Sequence, residues 1–202
     1  MKKIIGEPDG ATPLDPDELQ GLKFKHIKVR RQLDELEQIN IIDGMKWLKK
    51  QKNTDVISEE FTCLLHTKLF GKVWQWAGKF RKTERNIGCD PLHISVNLRN
   101  LFDDAKFWIE NKTFSNKEIA TRFHHRLVAI HPFPNGNGRH SRIMADAILT
   151  HVLKDSAIDW SSGKSLQAMS AHRTNYINAL RKADAGDMIA LLIFTGALLE
   201  EQ

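Results

Sequence analysis

Between residues 131 and 142 the chain reads His-Pro-Phe-Pro-Asn-Gly-Asn-Gly-Arg-His-Ser-Arg. A helical stripe ends at Ile130 and a new helical pattern begins near Gly138, so residues 131–137 form a tight loop that empties into a helix N-terminus. Gly136 and Gly138 permit backbone conformations closed to other residues and let a ligand come close to the main chain. The N–H groups at a helix start, together with the helix dipole, attract anions. Arg139 falls in the first turn, and Arg142, three residues on, shares its helix face. Two guanidinia beside an amide-lined loop suit a polyphosphate, because each can grip phosphate oxygens bidentately. Arginines at a helix start also oppose the dipole, which favours an anionic ligand over a purely structural role. His131 stands at the head of the loop, where a neutral imidazole could take a proton from an incoming hydroxyl. A glycine-rich turn, or a histidine before proline, is common on its own. The combination points to bound nucleotide phosphates with a base to activate an acceptor.

Composition is consistent with that chemistry and excludes much else. The chain has 202 residues, 30 Lys+Arg against 25 Asp+Glu, a net charge of +5, and 41% hydrophobic and 27% charged residues. These are the proportions of a globular protein, not of a fibrous, collagen-like or disordered chain. The length suffices for a full core without disulfide or metal staples. Two cysteines, Cys63 and Cys89, cannot make a disulfide framework or a paired-cysteine zinc site, and a cytoplasmic setting is expected. No window has the ~18–20 apolar residues of a membrane span, and the two N-terminal lysines lack the apolar run of a signal peptide. The basic excess is not an even coat. Residues 61–90 carry six basic and two acidic side chains, and residues 119–145 carry four arginines and no acid. Nucleic acid is therefore not the expected partner. A helix-turn-helix DNA reader would need a polar, basic recognition helix, whereas the most basic stretch here opens on a glycine-rich turn. His124, His125, His131 and His140 cluster in sequence, but with no acid nearby they do not read as a zinc site; His125 reads as a pocket-lining residue and His124 as a capping or packing one.

The elements that must position these residues read as all-α. A short first helix over 14–24 follows an irregular arm. Helix 30–52 carries a stripe of Leu33, Leu36, Ile39, Ile42 and Met45. Helix 58–77 is capped by Ser58, with Glu59 and Glu60 in its first turn. Helix 94–110 follows, and Ser115 to Glu118 is a capping box that opens a helix striped by Ile119, Phe123, Leu127 and Ile130. Helices over 137–153, 165–185 and 187–199 complete the chain. Residues 79–94, with Gly88 and Pro91 as breakers, form the one extended segment and are expected to make a short β-hairpin. The arm and first helix (1–29) precede a single helical unit (30–202).

The loop resembles the signature of the Fic (Fic/Doc, or Fido) family, His-Pro-Phe-x-(Asp/Glu)-Gly-Asn-Gly-Arg-x-x-Arg, at eight of nine specified positions. Residues 69–83 (LFGKVWQWAGKFRKT) and 176–187 (YINALRKADAGD) resemble further family segments. With the arm GATPLDPDELQGL, the chain resembles the branch called mobile mystery protein B. The resemblance implies a compact helical bundle with a hairpin flap beside the active-site loop. It implies an enzyme that transfers AMP from ATP to a Ser, Thr or Tyr hydroxyl of a target protein. His131 would be the general base, and Pro132 and Phe133 the motif core. Gly136, Asn137 and Gly138 would form the anion hole, with Arg139 and Arg142 on the phosphates. Thr83, Arg85, Asn86 and Ile87 of the flap would hold the target's backbone. The family's metal-holding acid is replaced by Asn135, an uncharged and weaker ligand for Mg²⁺, so the metal would ride mainly on the nucleotide. Three readings follow for turnover: AMP transfer from ATP, use of another nucleotide donor in a phosphotransferase, or a weakened nucleotide-binding and regulatory module. An antitoxin partner and self-association are within the family's range. Its inhibitory glutamate has one candidate, Glu37 in LDELEQIN. The flanking Leu33 and Gln38 do not match that pattern, and the alternative is an ordinary surface glutamate.

Overall fold

Serine side chains cap two of the helix starts. The structure, a computed structural model, describes residues 19–27, 30–52, 54–160 and 171–199. Helix α1 spans Arg30–Leu48 and α2 spans Glu59–Phe70. The Ser58 hydroxyl accepts from the Phe61 N–H at 3.2 Å, satisfying one of the donors that a helix start leaves over. A 3₁₀ turn, Pro91–His93, is capped by the Asp90 carboxylate and leads into α3, Ile94–Glu110. The Ser115 hydroxyl accepts from Glu118 N–H to open α4, Asn116–Ile130. Helix α5, Asn137–Ala147, runs into one π turn, Ile148–Val152. Helices α6, Ala171–Asp184, and α7, Ile189–Phe194, close the described chain. Residues 14–18 of the expected first helix lie outside the described residues, and of 19–24 only residues 19 and 20 are helical. Among the described residues no helix is long and apolar enough to cross a membrane.

Three expectations are corrected. Helix α2 stops at Phe70, not 77, because the chain turns at Gly71 while Val73 and Trp74 continue into the core. There Trp74 forms an isolated antiparallel bridge with Leu22. The buried face of α1 is not the apolar stripe read from sequence. Ile39 and Ile42 are exposed, and Leu33, Glu37, Asn40, Ile41 and Leu48 point inward. The two polar members are admitted because each has partners: Asn40 donates to the Lys68 carbonyl and accepts from Lys72 N–H. Thirdly, residues 79–90 form no β-ladder. Their backbone groups go elsewhere, Arg81 N–H to the Pro132 carbonyl at 2.9 Å and Cys89 N–H to that of Ile130 at 3.4 Å.

Two apolar clusters grip α5 from opposite sides. The larger joins α1 to α4 through Leu33, Leu65, Leu69, Trp74, Leu98, Leu101 and Leu127, and takes in Met144, Ala147 and Ile148. The smaller joins α6 and α7 through Tyr176, Leu180 and Leu191, and takes in Ala145 and Leu149. The helix that begins at the glycine-rich loop is thus held along its length, and its N-terminus is left at the surface of the two cores.

Candidate functional site

Helix α4 ends on His131, which adopts the left-handed conformation (φ 54°, ψ 58°) with its N–H on the Leu127 carbonyl. For a residue with a Cβ this costs about 1–2 kcal/mol, and such strain persists only where the surroundings enforce it. They do so in several ways. Phe133 is fully buried and stacks on His66 with ring centroids 3.8 Å apart. The Asn137 side chain accepts from Phe133 N–H at 2.9 Å and donates to the Phe133 carbonyl at 2.7 Å. Gly136 sits at φ 80°, and a Cβ there would stand 2.7 Å from the Phe70 ring, so only glycine fits.

His66 and His140 are the site residues that sequence reasoning missed. His66 Nδ1 accepts from Gly78 N–H at 3.0 Å, so its proton lies on Nε2, which donates to the Asn135 carbonyl at 3.1 Å. One ring thereby ties the turn before the flap to the glycine-rich loop. His140 Nε2 donates to the Thr62 carbonyl and fastens α5 to α2. The available signal was position: Thr62, His66 and Phe70 recur at helical spacing on a buried face.

Beyond Gly136, the first N–H groups of α5 have no partner within the helix. A Cβ on Gly138 would meet nothing within 4 Å, so the space over this turn is open. Two arginines flank it, each resting on an aromatic ring. The Arg139 guanidinium lies 4.9 Å from the Phe70 centroid, and that of Arg142 lies 5.5 Å from Tyr176. Arg142 Nε also donates to the Gly138 carbonyl at 3.1 Å. Asn137, expected to line the anion hole, has its side chain committed to Phe133.

Glu37 is not a surface residue. It is 2% exposed, its Oε2 lies 2.7 Å from Arg139 Nη2, and its Oε1 accepts from Trp74 Nε1 at 2.6 Å. The pairing is with Arg139, the first of the two motif arginines. Asn135 turns its side-chain oxygen onto Gly136 N–H at 2.6 Å. Among the described residues no three His, Cys, Asp or Glu side chains are grouped to hold a metal ion. On the flap, Thr83, Asn86 and Ile87 are exposed, while Arg85 presents its charge to His131. His125 pairs with Asp184 at 2.9 Å, and His124 is buried against the Tyr176 hydroxyl.

Burial, and then the charges of Arg81 and Arg85, lower His131 to about 4, so its imidazole is neutral at pH 7. A neutral imidazole keeps one ring nitrogen unprotonated as an acceptor. His124 and His140 are pushed to about 3 and His66 well below 6.5, in each case chiefly by burial. These shifts set an acid limit on the fold. The unfolded chain takes up protons on these histidines below about 6.5, while the folded chain resists until near 3–4. Stability is complete above that ordinary value and falls with pH, by up to about 1.4 kcal/mol per pH unit for each histidine. Asp146 works the other way, since burial raises it to about 6. The urea midpoint is expected to drop steeply between pH 6.5 and 4. A midpoint unchanged across that window would contradict the neutral, buried histidines.

Residues 56–149 match the Fic/DOC family model. The chain is 26% identical over 165 residues to protein adenylyltransferase Fic of Aedes aegypti, covering 78% of this chain and 31% of that protein. It is 25% identical over 186 residues to a probable protein adenylyltransferase of Aquifex aeolicus, covering 81% and 53%. It therefore spans about a third to a half of these curated relatives. Among solved structures, it superposes on the Bartonella tribocorum effector protein BepC, crystallised with AMPPNP, with a TM-score of 0.67 at 18% identity, covering 93% of this chain and 100% of that one. Fic-1 of Caenorhabditis elegans gives a TM-score of 0.61 at 22% identity over 79% of this chain and 48% of that one.

Proposed function

We propose that this chain, whose residues 56–149 match the Fic/DOC family model, is a nucleotidyltransferase that moves AMP from ATP to a Ser, Thr or Tyr hydroxyl of a target protein. The observation that carries the reading is the left-handed His131 set beside the α5 N-terminus, with Arg139 and Arg142 over an open first turn. The N–H groups of that turn and the two guanidinia bind the phosphate chain and take up the charge that develops on it. The unprotonated nitrogen of His131 accepts the target's hydroxyl proton as the oxygen attacks the α-phosphorus. The bond to the β-phosphate oxygen breaks, and pyrophosphate leaves. His131 is 4% exposed, so the exposed flap residues Thr83, Asn86 and Ile87 are where a target chain would first dock and give the hydroxyl its path. The setting would be cytoplasmic.

The residues present do not fit a divalent ion held by the protein. Asn135 has no charge, and its oxygen is occupied by Gly136 N–H. Mg²⁺ would come with the nucleotide, and no step here is assigned to it. Replacing Asn135 by aspartate restores a carboxylate that can still accept from Gly136 N–H. It is expected to tighten Mn²⁺ binding to the nucleotide complex by ~10-fold, since ligand charge sets hard-cation affinity. Titration calorimetry checks this, and equal affinities would remove Asn135 from the argument.

The same asparagine, with the Glu37–Arg139 pair, favours one second reading: a nucleotide-binding module with little turnover. The two separate when purified protein is incubated with each labelled nucleoside triphosphate and a cell lysate. Label transferred to protein supports the transferase. Tight binding without transfer from any of the four supports the module. Salt-sensitive DNA binding indifferent to Arg142→Ala would sink both.

A further inference from the structure

Arg81 begins the flap and is 3% exposed, a rare position for an arginine; among the described residues no carboxylate lies in ion-pair contact with it, and Asp90 and Glu84 act on it only at longer range. Its charge is met by carbonyl groups. Nε donates to the His131 carbonyl at 2.6 Å and Nη1 to that of Thr83 at 3.0 Å. Nη2 donates to the carbonyls of Cys89 and, at 3.3 Å, Ile130. Its own N–H donates to the Pro132 carbonyl at 2.9 Å. The Ile130 and His131 carbonyls belong to the two peptide units on either side of the His131 Cα. Those two units define the φ and ψ of that residue. A single planar guanidinium, itself fixed to the flap at Thr83 and Cys89, therefore holds both halves of the strained conformation.

We propose that Arg81 is the positioning residue of the general base: it locks His131 in its left-handed pose and couples that pose to the flap. The proposal rests on the reading of His131 as base. Arg81 touches neither nucleotide nor hydroxyl; it acts through the imidazole it aims. The charged groups that face that imidazole are Arg81 and Arg85, both from the flap, with the Val128 carbonyl of α4 on another side. The alternative is a purely structural clasp on the C-terminal end of α4, whose carbonyls attract a cation in any helix.

The two roles separate in the full chain with Arg81→Ala and Arg81→Lys. Three quantities are measured: affinity for a fluorescent ATP analogue, the transfer rate, and the His131 titration by NMR of histidine-labelled protein. Positioning predicts nucleotide affinity within about twofold of wild type and a kcat lower by ~10²-fold, the usual effect of a reacting group misplaced by about 1 Å. It predicts a His131 midpoint that rises towards the ordinary value in Arg81→Ala, and partial recovery of that variant's rate with added methylguanidinium. A wild-type kcat with an unmoved His131 titration overturns it. So does equal loss of rate and nucleotide affinity without rescue. Should Arg81→Ala not fold, Arg81→Lys decides, because an ammonium has three donors and no planar fork with which to hold all four carbonyls at once; wild-type rate and titration there reject the proposal. If the wild type itself transfers from none of the four triphosphates, the proposed function fails, while the His131 titrations still decide the role of Arg81.

Discussion

Glu37→Gly is expected to raise transfer activity and lower stability at once. The Glu37 carboxylate stands 2.7 Å from Arg139 Nη2 and is almost wholly buried. It engages the guanidinium that a phosphate would need and adds a negative charge where phosphate oxygens would lie. Two like unit charges about 4 Å apart near a protein surface repel by roughly 4 kcal/mol. Even a quarter of that, relieved, is about a fivefold gain in nucleotide affinity, and a tenfold or larger gain in transfer is the expected result. The same change leaves Trp74 Nε1, a buried donor, without its acceptor, at about 1–3 kcal/mol. A glycine inside α1 adds about 1 kcal/mol. Opposite movements of rate and melting temperature distinguish release of a block from general damage. Glu37→Gln is the cleaner companion, since its amide oxygen can keep the Trp74 bond while the charge is gone. Wild-type rates in both variants would dispose of the inhibitory role.

His131→Asn is expected to abolish transfer while sparing the bound nucleotide. Asparagine tolerates the left-handed conformation better than alanine does, so the loop is kept and only the base is lost. A positioned base contributes roughly 10²–10⁴ in rate, and kcat is expected to fall by that much. The affinity for ATP stays, because the guanidinia and the α5 N–H groups are untouched. The wild-type pH profile carries a matching signature. In the proposed reaction the base must be unprotonated, and burial lowers His131 to about 4, so the rate is expected to stay level through neutrality and to decline only as pH falls towards that value. A rate limb near the ordinary histidine value, or a His131→Asn variant that still transfers, would move the base to another residue.

The sequence was most informative where the determinants are local. Helix α3 spans the 94–110 expected for it, and the Ser58 and Ser115 caps sit where their side chains call for them. The glycine-rich loop was legible because its residue types have few other uses together. Glu37 was not, since what makes its burial tolerable is Arg139, a hundred positions away on another helix. The stripe on α1 misled for the same reason, with Asn40 inside on the strength of tertiary hydrogen bonds and Ile39 and Ile42 outside. Arg81 sat in a quoted motif, but a sequence does not say that one guanidinium gathers carbonyls from residues 83, 89, 130 and 131. The missing hairpin has the same origin, as the flap's hydrogen bonds go to the His131 loop rather than across itself.

Helix α1 is seated unusually deep. At Gly44 a Cβ would stand 2.8 Å from Leu69 and 2.9 Å from the Lys68 carbonyl oxygen, so the backbones meet with no side chain between them. Asn40, one turn earlier, is bonded on both sides to residues 68 and 72. Such a contact leaves little room to slide or roll; the helix is either docked or detached. Relief of Arg139 would then come as a discrete, slow event, seen as a lag in the time course of each molecule rather than as a continuously adjustable rate.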